Sequence, residues 1–125
     1  MKIKITSKNF DITPAINDYV SKKVSSLEKF LNTKNEVLCE VEIGRTTKHH
    51  NTGEIFKAEI NIVQPGNRQI YAVAEEMDLY TAIDVVRDEA EREIVSRKNK
   101  YKTLWKKGAS RVKDLIKMID FRQKN

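Results

Sequence analysis

Three stretches in the middle of the chain alternate apolar and polar residues with a period of two. They read "EVLCEVEIGR", "EIFKAEINIV" and "RQIYAVA", at residues 36–45, 54–63 and 68–74. Successive side chains of a strand point to opposite faces, so this period predicts short strands with one buried face each, as antiparallel sheets have. The predicted inward residues are Val37, Cys39, Val41, Ile43, Phe56, Ala58, Ile60, Ile62, Ile70, Ala72 and Ala74. A sheet with one apolar face needs a cover, and this limits the possible folds more than any other feature.

Two stretches with helical spacing can supply that cover. After a first alternating segment, "KIKITS" at residues 2–7, Thr13 and Pro14 form an N-cap and first helical residue. A second helix is predicted to begin after the cap residue Asp78. The apolar stripes of the two helices are Ile16, Tyr19, Val20, Val24, Leu27, Phe30 and Leu31, and Leu79, Ala82, Ile83, Val86, Ala90 and Ile94. We therefore predict an α+β fold of order β-α-β-β-β-α, a four-stranded sheet with both helices packed on one face.

The composition narrows the functional classes. The chain has 125 residues, 39% apolar and 34% charged, which fits one globular domain. Cys39 is the single cysteine and is predicted to be an apolar filler of the core. His49 and His50 are adjacent, with no spacing typical of a metal site. There is no glycine-rich phosphate loop, no apolar run of bilayer length and no secretory signal pattern, so we expect a cytoplasmic protein with no cofactor, no membrane partner and no enzymatic activity.

The charge of the chain is unevenly distributed. Its net charge is +6, with 24 Lys and Arg against 18 Asp and Glu. Residues 1–96 hold 13 basic and 16 acidic residues (net −3), whereas residues 97–125 hold 11 and 2 (net +9). Helix-dipole matching fades within one turn and cannot explain such an excess. The basic end is typical of a surface that binds a polyanion.

The basic stretch also carries apolar residues, and the sequence leaves its role open. Tyr101, Leu104, Trp105 and Val112 are among those that keep a roughly helical spacing. This pattern fits a third helix packed on its own domain, or a segment that becomes ordered on RNA or a protein partner. A helix lying on a membrane surface is a weaker third interpretation.

The two helical stretches carry a resemblance to a known family. "ITPAINDYVSKKVSSLEKFL" (12–31) and "AEEMDLYTAIDVVRDEAEREIVSRKNK" (74–100) resemble the ribosome hibernation-promoting factor / ribosome-associated inhibitor A family, whose members are also called sigma-54 modulation proteins. The second stretch matches the family's D-(M/L)-Y-x-A-I-D run at residues 78–84 and its basic helix end. The resemblance covers about residues 1–102, so we predict a ribosome-binding domain there and a basic amphipathic extension at residues 103–125.

The resemblance implies a fold like that of double-stranded-RNA-binding domains and a function without chemistry. Members of the family bind the small ribosomal subunit in the mRNA and tRNA channel, block translation sterically and protect idle ribosomes. We expect this chain to be a monomer when free, with rRNA as its partner and no small-molecule substrate. The predicted RNA-binding residues are Lys22, Lys23, Lys29, Arg45, Lys48, Arg87, Arg92, Arg97, Lys98, Lys100 and Lys102.

Two departures from the family pattern qualify these expectations. Glu89 and Ser96 stand where relatives often have Lys, so the basic helix surface is thinner, and Arg87 is expected to compensate. The extension is too short and too basic for the dimerising domain of the family's long form, so we expect a short form that does not bridge ribosomes. Two alternatives stay open, namely a general binder of structured RNA and a protein-interaction module that modulates transcription.

Overall fold

The computed structural model describes residues 1–32, 36–46 and 53–107, with side chains up to residue 100. The described part does not include residues 33–35, 47–52 and 108–125. The candidate residue Lys48 and the pair His49 and His50 therefore lie outside it. The elements are β1 (Lys2–Lys8), α1 (Pro14–Ser25), β2 (Leu38–Thr46), β3 (Ile55–Val63), β4 (Ile70–Glu76) and α2 (Leu79–Lys107). This is the predicted order β-α-β-β-β-α.

The four strands form one mixed sheet in the order β1-β2-β3-β4. The β1 and β2 strands are parallel and joined through α1, while the β2–β3 and β3–β4 pairs are antiparallel. The register aligns the apolar residues across the sheet. Val41 lies opposite Ile60, and Ile60 lies opposite Ala72. A shift of one residue would turn each of these side chains to the other face, so the hydrophobic pattern fixes this register.

Both helices cover the apolar face of the sheet, as predicted. Every predicted inward residue is buried except Phe56, which is half-buried and packs edge-on against Phe10 with 6.3 Å between ring centroids. The predicted stripe of α2 is buried from Leu79 to Ile94, and α1 contributes Val20 and Val24. Burial raises the pKa of the Cys39 thiol to about 12, which fits its predicted role as a core filler.

Local signals in the sequence set the starts of both helices and one turn. The Thr13 hydroxyl accepts a hydrogen bond from the Ile16 N–H at 3.2 Å, directly before Pro14. The Asp78 carboxylate accepts one from the Thr81 N–H at 2.9 Å. Each bond satisfies an N–H group that the first helical turn leaves without a partner. Gly66 adopts φ 77° in the turn between β3 and β4, a conformation that glycine allows at low cost.

The end of the first helix differs from the prediction. Its apolar spacing predicted a helix that continues to Leu31, but α1 ends at Ser25 and a 3₁₀ turn follows at Glu28–Phe30. The Ser26 N–H bonds to the Lys23 carbonyl, and the Ser26 hydroxyl donates to the same oxygen. A serine that competes for helix carbonyls in this way tightens the last turn and ends the α-helix.

The chain divides into a compact unit at Met1–Ile94 and a second that begins at Val95. The first unit contains the whole sheet, α1 and most of α2. The predicted boundary between a domain at residues 1–102 and an extension at residues 103–125 stays a prediction.

The centre of the sheet provides a test of the packing. Ile60→Ala should lower the free energy of unfolding by about 2–5 kcal/mol, because Ile60 is fully buried between β2 and β4 and its loss leaves a cavity. Met77→Ala is the control, since Met77 is 74% exposed and should change stability by less than about 0.5 kcal/mol. Urea unfolding measures both. Equal stabilities of the two variants would contradict this packing.

Candidate nucleic-acid interface

The lysines of the first helical region differ in their surroundings. Lys22 is exposed on α1, and Lys29 is exposed in the 3₁₀ turn, with its ammonium 5.1 Å from the centre of the Phe30 ring. A continuous α-helix would place Lys22 and Lys29 on one stripe, about 20° apart. The two residues do not share such a stripe, because α1 ends between them. Both amino groups nevertheless face solvent.

Lys23 belongs to a cluster that joins the two helices. Its ammonium lies 3.3 Å from the Asp84 carboxylate on α2 and 5.6 Å from the centre of the Tyr19 ring. The Tyr19 hydroxyl donates a hydrogen bond of 2.6 Å to the same carboxylate. Its ring meets that of Tyr80 edge-on at 4.8 Å. We call Tyr19, Lys23, Tyr80 and Asp84 the helix clasp, because these contacts hold α1 against α2.

The clasp changes the acidity of its tyrosine. The Asp84 carboxylate accepts a hydrogen bond from the Tyr19 hydroxyl and so stabilises its protonated form. The partial burial of Tyr19 and the negative charge of Asp84 also favour the protonated form. The pKa of Tyr19 is raised from 10.0 to about 12. The stability gained from this raised pKa is fully present below about pH 10 and is lost as the pH rises towards 12.

A second link between the helices uses Arg87. Its Nε donates to the Ser26 hydroxyl at 2.8 Å, so it contacts the residue that ends α1. Its Nη1 lies 3.0 Å from carboxylate oxygens of both Asp88 and Glu91. Only 14% of the Arg87 side chain is exposed. An arginine so occupied can fix the geometry of the helix pair, and its contact with RNA stays a prediction.

The remaining candidates on α2 lie further along the helix. Arg92 is exposed and pairs with Glu89 at 2.6 Å, a glutamate that the sequence had marked as a departure from the family. Lys98 and Lys100 are exposed, while Arg97 is half-buried and interacts with a neighbour. Lys102 lies in the part of α2 for which the structure describes the backbone alone. Up to residue 100, where its side chains are described, the helix thus presents two exposed lysines near its basic end.

Arg45 lies near the end of β2, and its contacts with Glu54 and Asn9 involve none of the helix-clasp residues. Its Nη1 lies 3.2 Å from the Glu54 carboxylate, and its Nη2 donates to the Asn9 carbonyl at 3.4 Å. Asn9 returns a bond to the Arg45 carbonyl and adopts φ 66°, a left-handed conformation that asparagine tolerates well. Arg45 remains exposed, so its guanidinium can still meet a phosphate.

The structure thus brings part of the predicted site together. The α1–α2 contact places Lys23 and Arg87 on one helix pair, with Lys22 exposed on the same α1. The sequence reasoning missed Tyr19 and Ser26 as contacts between the helices. A signal was present, because Tyr19 and Lys23 are four residues apart, as are Tyr80 and Asp84. Such pairs lie on one side of a helix and can face each other.

In the part of the chain that the structure describes, no group of His, Cys, Asp or Glu side chains is placed to hold a metal ion. None of the described helices has a stretch long and apolar enough to cross a bilayer.

The comparison with protein families gives one match. Residues 3–102 match the family described as "Sigma 54 modulation protein / S30EA ribosomal protein". The matched range contains the sheet, α1 and most of α2. It also contains every predicted RNA-binding residue.

The names of similar proteins are consistent with this family match. The chain is 33% identical over 102 residues to the "Ribosome hibernation promoting factor" of Klebsiella oxytoca, covering 82% of this chain and 98% of the relative. It is 30% identical over 108 residues to the protein of the same name from Escherichia coli K12, with the same coverage. The "Ribosome hibernation promotion factor" of Lactococcus lactis is 31% identical, and the match covers 50% of that longer protein.

Solved structures show the same fold. The Protein Y N-terminal domain of Thermus thermophilus superposes with a TM-score of 0.62 at 30% identity, covering 75% of this chain and 96% of that one. A ribosomal subunit interface protein of Coxiella burnetii has a TM-score of 0.62 at 23% identity, covering 79% and 99%. The second likeness, at this identity, concerns the fold alone.

The helix clasp makes a prediction about Tyr19. In Asp84→Asn, the pKa of Tyr19 should fall from about 12 towards its usual 10.0, because the amide carries no charge to stabilise the protonated hydroxyl. An NMR titration of protein with labelled tyrosine rings measures this shift. Asp88→Asn is the control, because Asp88 contacts Arg87 and should leave the titration of Tyr19 unchanged. A Tyr19 that titrates near pH 10 in the unmodified protein would refute the clasp.

Proposed function

The chain belongs to the sigma 54 modulation protein / S30EA ribosomal protein family, and from this premise we propose that it is a ribosome hibernation factor. It binds the small ribosomal subunit in the channel used by mRNA and tRNA. Its presence there blocks translation sterically and protects ribosomes that are idle, as in stationary phase or under stress. The site of action is the cytoplasm.

The observation that carries this proposal is the pairing of the family match with the exposed lysines of the helices. The match spans both helices, and Lys22, Lys29, Lys98 and Lys100 are exposed there. Lysines on a folded surface neutralise phosphates and release counterions, which gives affinity for structured RNA without reading its sequence. The open face of the sheet is a less favourable phosphate site, because it mixes the lysines of β1 with Glu40 and Glu42 of β2, and Lys4 lies directly opposite Glu40.

The contacts in the structure suggest an order among the candidate residues. The four exposed lysines just named can meet phosphates directly. Lys23, Arg45 and Arg92 each have a carboxylate partner that a phosphate would have to share or displace. We expect a smaller loss of affinity when one of these is removed. Arg87 acts mainly by positioning α1 against α2, and its removal should weaken binding through that geometry.

The proposed mechanism is steric occupancy of the mRNA and tRNA channel, and no bond is made or broken. A folded domain held by several phosphate contacts excludes mRNA and tRNA from the space that it fills. The residues that matter are therefore those that set affinity and orientation. No cofactor or small-molecule substrate enters this scheme.

Charge reversal tests the proposed interface. Replacing Lys22, Lys29, Lys98 and Lys100 together by Glu should abolish pelleting with purified small ribosomal subunits, because each lost phosphate contact weakens affinity by about tenfold. The circular dichroism spectrum should not change, since all four side chains are exposed. Binding to free duplex RNA is measured in parallel. A general RNA binder would bind the duplex as tightly as the subunit.

A matched pair of double variants controls for total charge. Lys22→Glu with Lys29→Glu removes the same charge as Lys2→Glu with Lys8→Glu, which lie on the edge strand β1. The first double variant should lose affinity for the subunit and the second should retain it. Equal losses in the two would place the contact elsewhere and contradict the proposed helix surface.

A further inference from the structure

The two edges of the sheet differ in how they are protected. β1 and β4 are the edge strands, and in the described residues no strand pairs with the outer side of either. Unpaired edges expose backbone N–H and C=O groups that can pair with another chain, and proteins commonly block them with lysine. β1 follows this rule, because Lys2, Lys4 and Lys8 alternate along it.

β4 is less protected, because its charged residues, Glu75 and Glu76, lie only at its end. The rest of the strand, "IYAVA", has neither lysine nor proline, and the outward side chains of Tyr71 and Val73 are 54% and 42% exposed. Two neighbouring apolar side chains on an unpaired edge strand favour the addition of another strand. The strand has seven residues, which is long enough to form a regular ladder.

The charge beside this edge is negative. On the open face of β2, β3 and β4 the outward residues include four glutamates and one lysine. The register places Glu42 directly opposite Glu59, and like charges so placed oppose each other. Lys57 lies 3.0 Å from Glu59 and directly opposite Glu75 in the register, so it offsets part of this charge. The glutamates are Glu40, Glu42, Glu59 and Glu75. The register places Lys2, Lys4 and Lys8 of β1 on the same face, so its acidic part is limited to the strands on the β4 side.

We propose that β4 is a docking edge to which an extended, basic segment of a partner protein adds as a fifth strand. Backbone hydrogen bonds along β4 would supply affinity, and alternate side chains would supply specificity. A segment that alternates basic and apolar residues matches this edge. Its apolar side chains pack beside Tyr71 and Val73, and its lysines or arginines meet Glu75 and the carboxylates behind it.

Other occupants fit the same edge less well. A nucleic acid would bring phosphates to the acidic face, which Coulomb repulsion disfavours. A second copy of β4 would bring the same carboxylates into an already acidic surface. The edge lies in Met1–Ile94 and its occupation requires no contact by the exposed lysines of the helices. The inference therefore does not depend on RNA binding.

Peptide binding to the intact chain tests the inference without ribosomes. The probe is a nine-residue peptide that alternates lysine and valine, and its counterpart alternates glutamate and valine. Amide NMR spectra of the labelled protein locate the binding. The basic peptide should shift the resonances of residues 70–76 and protect their amides from exchange, while the acidic peptide should do neither.

Two variants with the same added charge sharpen the test. Val73→Lys should weaken binding of the basic peptide by about fivefold or more, because it places on β4 the kind of charge that protects β1. Met77→Lys adds the same charge just outside the strand and should leave the affinity unchanged. Both positions are exposed, so both variants should fold, which their NMR spectra report.

Several results would overturn the proposal. These are equal binding of both peptides, shifts confined to residues 84–93 of α2, where five acidic residues lie, and equal losses in Val73→Lys and Met77→Lys. Self-association of the protein through β4, in place of peptide binding, would also overturn it. None of these results bears on whether the chain binds the ribosome.

Discussion

The one-sided sheet is the constraint on which the other features depend. Its inward rows, such as Val41, Ile60 and Ala72, are in register across three strands and must be kept from water. The apolar sides of both helices pack on that face and cover it. Their outer surfaces are left for polar and charged residues, and no described helix covers the second face of the sheet. The proposed phosphate contacts therefore use side chains on the outer sides of the helices.

The helix clasp and Arg87 connect that packing to the proposed function. The exposed lysines of the first helical region can take part in the proposed contact only if α1 keeps a fixed position against α2. Tyr19 and Lys23 on α1 share the Asp84 carboxylate on α2, and Arg87 reaches from α2 to the residue that ends α1. Some cations of the chain therefore fix the surface, while Lys22 and Lys29 remain available to bind phosphate.

Much of the fold could be predicted from the sequence because its signals are local. Alternation fixed the inward residues of the strands, and Thr13 and Asp78 marked the helix starts. The early end of α1 could not be predicted from apolar spacing, since Leu27 and Phe30 pack on the core from a 3₁₀ turn as well as from a helix. The sequence predicted two helices on one face of the sheet. The side-chain contacts that join these helices depend on the tertiary structure and could not be predicted.

The candidate residues of the site could be named from the sequence, but their contacts could not be predicted. The excess of basic residues and the family resemblance named the lysines, and the family is now established for residues 3–102. Sequence alone could not separate Lys22, which is exposed, from Lys23, which is bound to Asp84, although they are neighbours. Net charge likewise concealed the four glutamates that β2, β3 and β4 place on one face of the sheet, because opposite charges cancel in a sum.

Sedimentation of the tagged chain in lysate from stationary-phase cells tests the central claim most directly. At low salt, the account predicts that the protein travels with the small subunit and with whole ribosomes through a sucrose gradient, and that higher salt releases it. A protein that stays at the top of the gradient at low salt would contradict the account.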